Sequence, residues 1–205
     1  MPNPRLTREE SRQQTRTRLL EAAVQVFSRR GYQVATVDEI AEAAGYSKGA
    51  VYSNFSSKEE LFLELLDQRF ALERANWPGL ADVIAPAHDP APSQEDGYIE
   101  AIRTDRDWVI LLMEFMLCAL RDEKIWRMVQ PRIHALQQDM QAALAGLYAE
   151  RQLQPEIPVE MLPHAIISLG IGLSLQYFMD PPAFPDNMYG LVLHSILKGK
   201  HIADE

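Results

Sequence analysis

Apolar residues recur at intervals of three and four through almost the whole chain, a period that predicts helices. Leu19, Ala23 and Val26, continued by Arg30, mark one face, and Gly31 is placed to stop that helix. Thr36-Val37-Asp38-Glu39 is a capping box that opens a helix ending at Gly45. Ser47 caps a short helix reaching about Phe55. Ser57-Lys58-Glu59-Glu60 reads as a second capping box, opening a long helix through Leu61, Leu65, Leu66 and Phe70. Five Pro and Gly residues between Pro78 and Ser93 predict a loop with room for a helical turn. A helix follows from about Gln94 to Arg103. Around Trp108–Leu120, Trp108, Leu111, Leu112, Phe115, Met116 and Ala119 share one face. Val109, Ile110, Met113 and Leu117 fill the other, which predicts burial nearly all round. Ile125, Val129, Ile133, Leu136, Met140, Leu144 and Leu147 mark a long helix in which Pro131 predicts a kink or break. After Pro155 and Pro158, helical spacing resumes over Val159–Met179, stops at Pro181-Pro182 and returns from about Asp186 to Leu197. No alternating strand pattern appears, so the fold class is all-α.

Composition narrows the function classes. The 205 residues carry 47% hydrophobic and 24% charged side chains, which suits a globular protein with a substantial core. The lone Cys118 excludes an intrachain disulfide or a multi-cysteine metal site and fits a reducing cytoplasm. The polar, Arg-rich start is unlike a secretory signal, and Trp108–Leu120, taken as the longest nearly apolar stretch, is too short to span a bilayer. No membrane partner is expected. The net charge of −9 is uneven: residues 1–37 are net +4, residues 1–60 net +1, and the remainder net −10. A basic end on an acidic body suggests that one end meets a polyanion; a solvated mixed-charge helix is the plainer reading.

The stretch TVDEIAEAAGYSKGAVYSNFSSK, Thr36 to Lys58, describes two short helices joined by a tight turn at Gly45-Tyr46-Ser47. Small Ala41, Ala44 and Val51 permit a close crossing. A generic helical hairpin fits, and so does a helix-turn-helix whose second helix enters the DNA major groove. In the latter case Lys48, Gly49, Tyr52 and Ser53 face DNA. Gly49 leaves room for the backbone to approach, and Lys48 and Tyr52 reach phosphates or base edges. The helix starts near Thr36 and Lys58 offer amides that suit phosphate.

Over Arg16–Leu66 the sequence resembles the tetracycline-repressor (TetR) family. The resemblance is carried by Ala22-Ala23, Phe27, Gly31-Tyr32, Thr36-Val37, Ile40-Ala41, Ala44-Gly45, Ser47-Lys48-Gly49, Val51-Tyr52, Phe55 and Lys58-Glu59-Glu60-Leu61. It implies an all-helical homodimer with a three-helix DNA-binding head, residues 1–57, and a ligand-binding and dimerisation domain, residues 58–205. It places Thr36, Ser47, Lys48, Gly49, Tyr52 and Lys58 at DNA-contact positions, and Ser53 and Asn54 where members differ in operator choice.

Beyond the head, the residues themselves suggest an effector pocket. Trp108, Leu112, Met113, Phe115, Met116 and Trp126 offer large, adaptable apolar surface. Glu114 and His134 are the candidate polar anchors; the plainer alternative is a structural ion pair or an exposed ridge for Glu114 and a structural role for His134. Cys118 reads as a small buried hydrophobe. Gly170, Gly172 and Ser174 inside a helix suggest close helix–helix packing. The last two helices could pair with their copies through Leu169, Leu173, Tyr177, Leu191, His194 and Ile196. The five His residues form no zinc-protease pair, and neither a nucleophile elbow nor a phosphate-binding loop is present, so no cofactor or metal is expected. The expected function is a transcriptional repressor that binds a palindromic operator on double-stranded DNA and is released by a small, mostly apolar effector. The rival is an all-α small-molecule-binding or enzymatic protein that keeps the head as a scaffold.

Overall fold

The computed structural model describes residues 7–84, 98–185 and 187–202. Among these the chain is helical: α1 Arg8–Arg30, α2 Val37–Ala44, α3 Lys48–Asn54, α4 Lys58–Asn76, α5 Tyr98–Thr104, α6 Arg106–Arg121, α7 Glu123–Glu150, α8 Leu162–Met179 and α9 Met188–Ile196. The all-α expectation holds. The start expected near Gln94, the loop residues 85–93 and Asp186 lie outside the described residues; the helical turn in that loop is a 3-10 turn over Trp77–Asp82.

Two compact units form. The first joins residues 1–69 to residues 107–130, so α1 to α3, most of α4, α6 and the start of α7 belong together. This differs from the expected division after residue 57, because α4 and α6 bury their apolar faces with the head helices. Its core is a set of rings. Phe62 and Phe115 stack 4.0 Å apart, and Tyr32 meets both edge-on at 5.2 and 4.8 Å. Phe27 and Trp108 flank Phe62. Each well-placed ring pair adds about 0.5–1.5 kcal/mol beyond simple area burial.

Helix α1 starts earlier than its apolar spacing suggests. Thr7-Arg8-Glu9-Glu10 is a further capping box: Thr7 Oγ1 accepts the Glu10 N–H, and the Thr7 N–H donates to Glu10 Oε2 at 2.7 Å. The box expected at Ser57–Glu60 is only half formed. Ser57 Oγ accepts the Glu60 N–H, but the Glu60 carboxylate accepts instead from the N–H and hydroxyl of Ser56. Helix α6 is not buried all round: Leu111, Phe115, Cys118 and Ala119 are inside, while Leu117 and Leu120 are 56% and 69% exposed. Helix α7 runs through Pro131 without a break.

The second unit comprises residues 70–106 and 131–205. Leu136, Met140, Leu144 and Tyr148 of α7 are buried there, as are Leu162, Ile166 and Leu173 of α8 and Leu193 of α9. Two three-residue strands, β1 Leu153–Pro155 and β2 Gly199–His201, pair antiparallel with Gln154 opposite Lys200. They were invisible to the periodicity because each is shorter than one alternation pattern and the partners are far apart in sequence. Tyr148 donates its hydroxyl to Leu197 O at 2.8 Å, and burial pushes its pKa up to about 12. A side chain at Gly199 would stand 3.0 Å from Gln154 O, which explains the glycine.

The expectation about apolar stretches is corrected by α8, which is long and apolar enough, by length and composition, to cross a membrane. The expected pairing face is also corrected. Leu173 and His194 are buried within the unit and Leu191 is exposed as that face requires, whereas Ile171, Leu175 and Met179 of α8 and Met188 of α9, outside the expected face, are exposed as well. The close packing expected at Gly170 and Gly172 is not met among the described residues, where a Cβ at either would touch nothing within 4 Å.

Candidate nucleic-acid interface

The α2–α3 pair is built by local chemistry. Thr36 Oγ1 accepts the Glu39 N–H at 3.2 Å, and Glu39 Oε2 accepts the Thr36 N–H at 2.9 Å. Those bonds, the backbone one foremost, hold the Glu39 carboxyl below the usual carboxylate range. Gly45 closes α2 in the left-handed conformation, φ 72° and ψ 28°, and the Tyr46 N–H returns to Ala41 O. Ser47 Oγ then accepts the Ala50 N–H and starts α3. Ile40, Ala41 and Val51 are buried where the helices meet. Burying Val51 turns Lys48, Gly49, Tyr52 and Ser53 outward, and all four are exposed.

The outward side chains differ in readiness. Tyr52 is 49% exposed. The Lys48 ammonium pairs with exposed Asp38 at 2.8 Å, and that hydrogen bond and attraction raise its pKa. A surface pair of this kind is weak and exchangeable for a phosphate. Among the described residues a Cβ on Gly49 would meet only Ser47 Oγ, at 3.7 Å, so none of them requires glycine there. Ser53 Oγ and Asn54 Nδ2 both donate to Ala50 O, at 2.8 and 2.9 Å. Asn54 is therefore folded back on its own helix rather than held out for base contact. Its Oδ1 is buried with no partner among the described residues.

Lys58 differs most from its expected role. Its ammonium donates to Tyr32 O, Gln33 O and Ala35 O at 2.8–3.2 Å and lies 4.6 Å from the Tyr32 ring centre. A lysine has three N–H donors, and all three are committed to the α1–α2 loop, so a phosphate finds none free. Burial lowers its pKa. Arg16 was missed as a positioning residue. Its guanidinium donates to Asn54 O at 2.7 Å and to Glu64 Oε2 at 2.9 Å while lying 4.1 Å from the Phe55 ring centre. It ties α1 and α4 to the end of α3. Nothing in local spacing signals a contact made across 38 residues.

The expected effector residues are divided. Phe115 is fully buried in the ring core and Trp108 stacks near Phe62. Glu114 Oε2 accepts the Tyr32 N–H at 2.9 Å beside Gly31, whose φ is +75°. That carboxylate completes a chain turn, a structural role that is neither the ion pair nor the exposed ridge set against ligand recognition. Cys118 Sγ accepts from Gln33 Nε2 at 3.1 Å. Leu112, Met113, Met116 and Trp126 are half-buried. In the second unit His134 lines a cavity of about 170 Å³ with Gln137, Gln141, Glu160 and His164, a polar rather than apolar lining.

Residues 19–65 match the model for bacterial regulatory proteins of the tetR family. The uncharacterized HTH-type transcriptional regulator YfiR of Bacillus subtilis is 22% identical over 182 residues, 83% of each chain. The HTH-type transcriptional repressor AcnR of Corynebacterium glutamicum is 28% identical over 155 residues, 72% of this chain and 73% of that one. The crystal structure of NalD, the secondary repressor of the MexAB-OprM multidrug efflux pump in Pseudomonas aeruginosa, superposes with a TM-score of 0.58 at 27% identity, covering 93% of this chain and 96% of that one. With the helix-turn-helix geometry above, the match over residues 19–65 identifies the head of this chain as a DNA-binding domain of the tetR family of bacterial regulatory proteins.

Proposed function

We propose that this regulator is a repressor that grips a palindromic operator as a homodimer and lets go when a small, mostly apolar effector binds outside the head. The observation that carries the DNA-reading part is the outward set Lys48, Gly49 and Tyr52 on a helix whose other side is locked by Val51. The scaffold-only rival has no use for that set. AcnR and NalD, both named as repressors, support the direction of control.

Pairing draws support from α8 and α9. Ile171, Leu175 and Met179 are spaced by four and form one exposed apolar row, with Met188 and Leu191 exposed on α9. Among the described residues nothing would meet a Cβ at Gly172, which leaves room there for a second helix to approach closely. A two-fold pair would set its heads 34–36 Å apart, or a multiple, to enter one face of B-DNA. The half-buried Leu112, Met113, Met116 and Trp126 support an apolar effector. Effector binding lowers operator affinity only by as much as the effector prefers the released conformation.

Selection from a pool of random duplexes tests this reading. Recovery of an inverted repeat by the wild-type chain, and its loss with Leu175→Glu, supports a paired repressor. Recovery of single half-sites alone would overturn the palindrome.

A further inference from the structure

The first two turns of α1, residues 8–14, have no inward purpose, since all seven are exposed. Leu19 is the first residue of this 23-residue helix to be buried, although the helix begins at Arg8. A helical segment that buries nothing gains no packing stability, and its own propensity is marginal. Yet the capping box at Thr7 and Glu10 secures its start. Such a segment is explained by something that lies outside the chain.

Arg8, Arg12 and Arg16 follow one another at four-residue spacing and share one side of α1. Arg16 fixes where that side points. Its guanidinium is bound to the carbonyl of Asn54, the last residue of the DNA-facing helix, and lies over the Phe55 ring. The row therefore starts at the edge of the α3 surface and continues away from it. Arg8 and Arg12 are exposed, and neither has an ion-pair partner among the described residues. Of the nearby acids, Glu10 is occupied by Thr7 and Glu64 by Arg16; Glu9 lies in the same first turn. At 1.5 Å per residue, Arg8 stands about 12 Å beyond Arg16, a reach of about three to four base-pair steps.

We propose that this row is a second DNA-contact surface: Arg8 and Arg12 bind backbone phosphates of the duplex flanking the base pairs read by α3. The inference rests on the repressor reading above. It also accounts for the local charge, since residues 1–37 carry net +4 on an otherwise acidic chain. Phosphate contacts of this kind strengthen binding and set its salt dependence without adding sequence preference.

The test compares the full-length wild-type chain with Arg8→Ala/Arg12→Ala on two duplexes. One carries the selected site alone, and the other extends it by several base pairs on each side. The wild type should bind the longer duplex more tightly, and the double variant should lose that gain. Its salt slope should fall by about 0.9 for each phosphate contact removed, so affinity lost between 50 and 200 mM salt shrinks about tenfold per head. Base preference and thermal unfolding should stay as in wild type. A double variant that keeps both the flank gain and the slope overturns the proposal while leaving the α3 reading intact. A wild-type chain that binds neither duplex overturns the repressor reading, and this surface with it.

Discussion

Glu114 Oε2 accepts the backbone N–H of Tyr32 at 2.9 Å, a bond from the middle of α6 to the turn that follows α1. The turn needs it. Gly31 leaves the helix at φ +75°, and the Tyr32 N–H that follows is directed to this carboxylate rather than to a backbone carbonyl. Glu114→Ala should therefore lower stability by about 1–3 kcal/mol, the cost of a buried donor left without a partner. Glu114→Gln keeps an acceptor oxygen and should lose less. Urea unfolding of the two variants checks this; equal losses would mean that the bond is incidental.

Phe115 gives a sharper separation between core and pocket. It is fully buried against Phe62 and Tyr32. Phe115→Ala should cost about 3–5 kcal/mol of folding stability. An effector contact on a preformed pocket would instead leave stability nearly unchanged and weaken effector binding. Calorimetric unfolding distinguishes the two.

Gly49 tests the DNA-facing side without disturbing the fold. Among the described residues a methyl group there meets only Ser47 Oγ at 3.7 Å, and alanine is the better helix former. Gly49→Ala should unfold at the same temperature as wild type or slightly above it, yet bind the operator more weakly. Unchanged operator affinity would show that α3 does not approach DNA at this position.

Acid sensitivity follows from the helix caps. Backbone and side-chain hydrogen bonds from Thr36 hold Glu39 below its ordinary 4.5, and Ser56 does the same for Glu60. A carboxylate lowered on folding contributes stability above its unfolded pKa and loses it as pH falls through the lower folded value. Stability should thus decline below about pH 4.5, and Glu39→Gln should decline less steeply there. Denaturant midpoints measured from neutral pH to about pH 3 give the comparison. Parallel curves for wild type and Glu39→Gln would contradict the assigned cap.

Lys58 separates folding from DNA binding. With its three donors on loop carbonyls, Lys58→Ala should lower the unfolding temperature and leave the salt slope of operator binding unchanged. A slope reduced by about 0.9 at unaltered stability would restore the phosphate role.

The head was largely legible because its signals are local. Caps at Thr36 and Ser47, stops at Gly31 and Gly45, and small residues at the crossing each act within a few positions. What sequence spacing could not supply were the long-range partners. Arg16 to Asn54, Glu114 to Tyr32 and Lys58 to the α1–α2 loop depend on helices brought together only by folding. The same limit explains the paired three-residue strands and the misjudged face of α8, where Leu173 turned inward and Ile171 outward. The Thr7–Glu10 box was readable from Thr-x-x-Glu but lay upstream of the first apolar residue of its helix.

The central claim is that α3 reads DNA through Lys48 and Tyr52. It is tested most directly by anisotropy titration of the selected duplex with wild type, Lys48→Ala and Tyr52→Ala at one fixed salt concentration. Each variant should fold as wild type and lose about 1–3 kcal/mol of operator binding per head wherever its side chain reads a base. Wild-type affinity in both variants would contradict the claim.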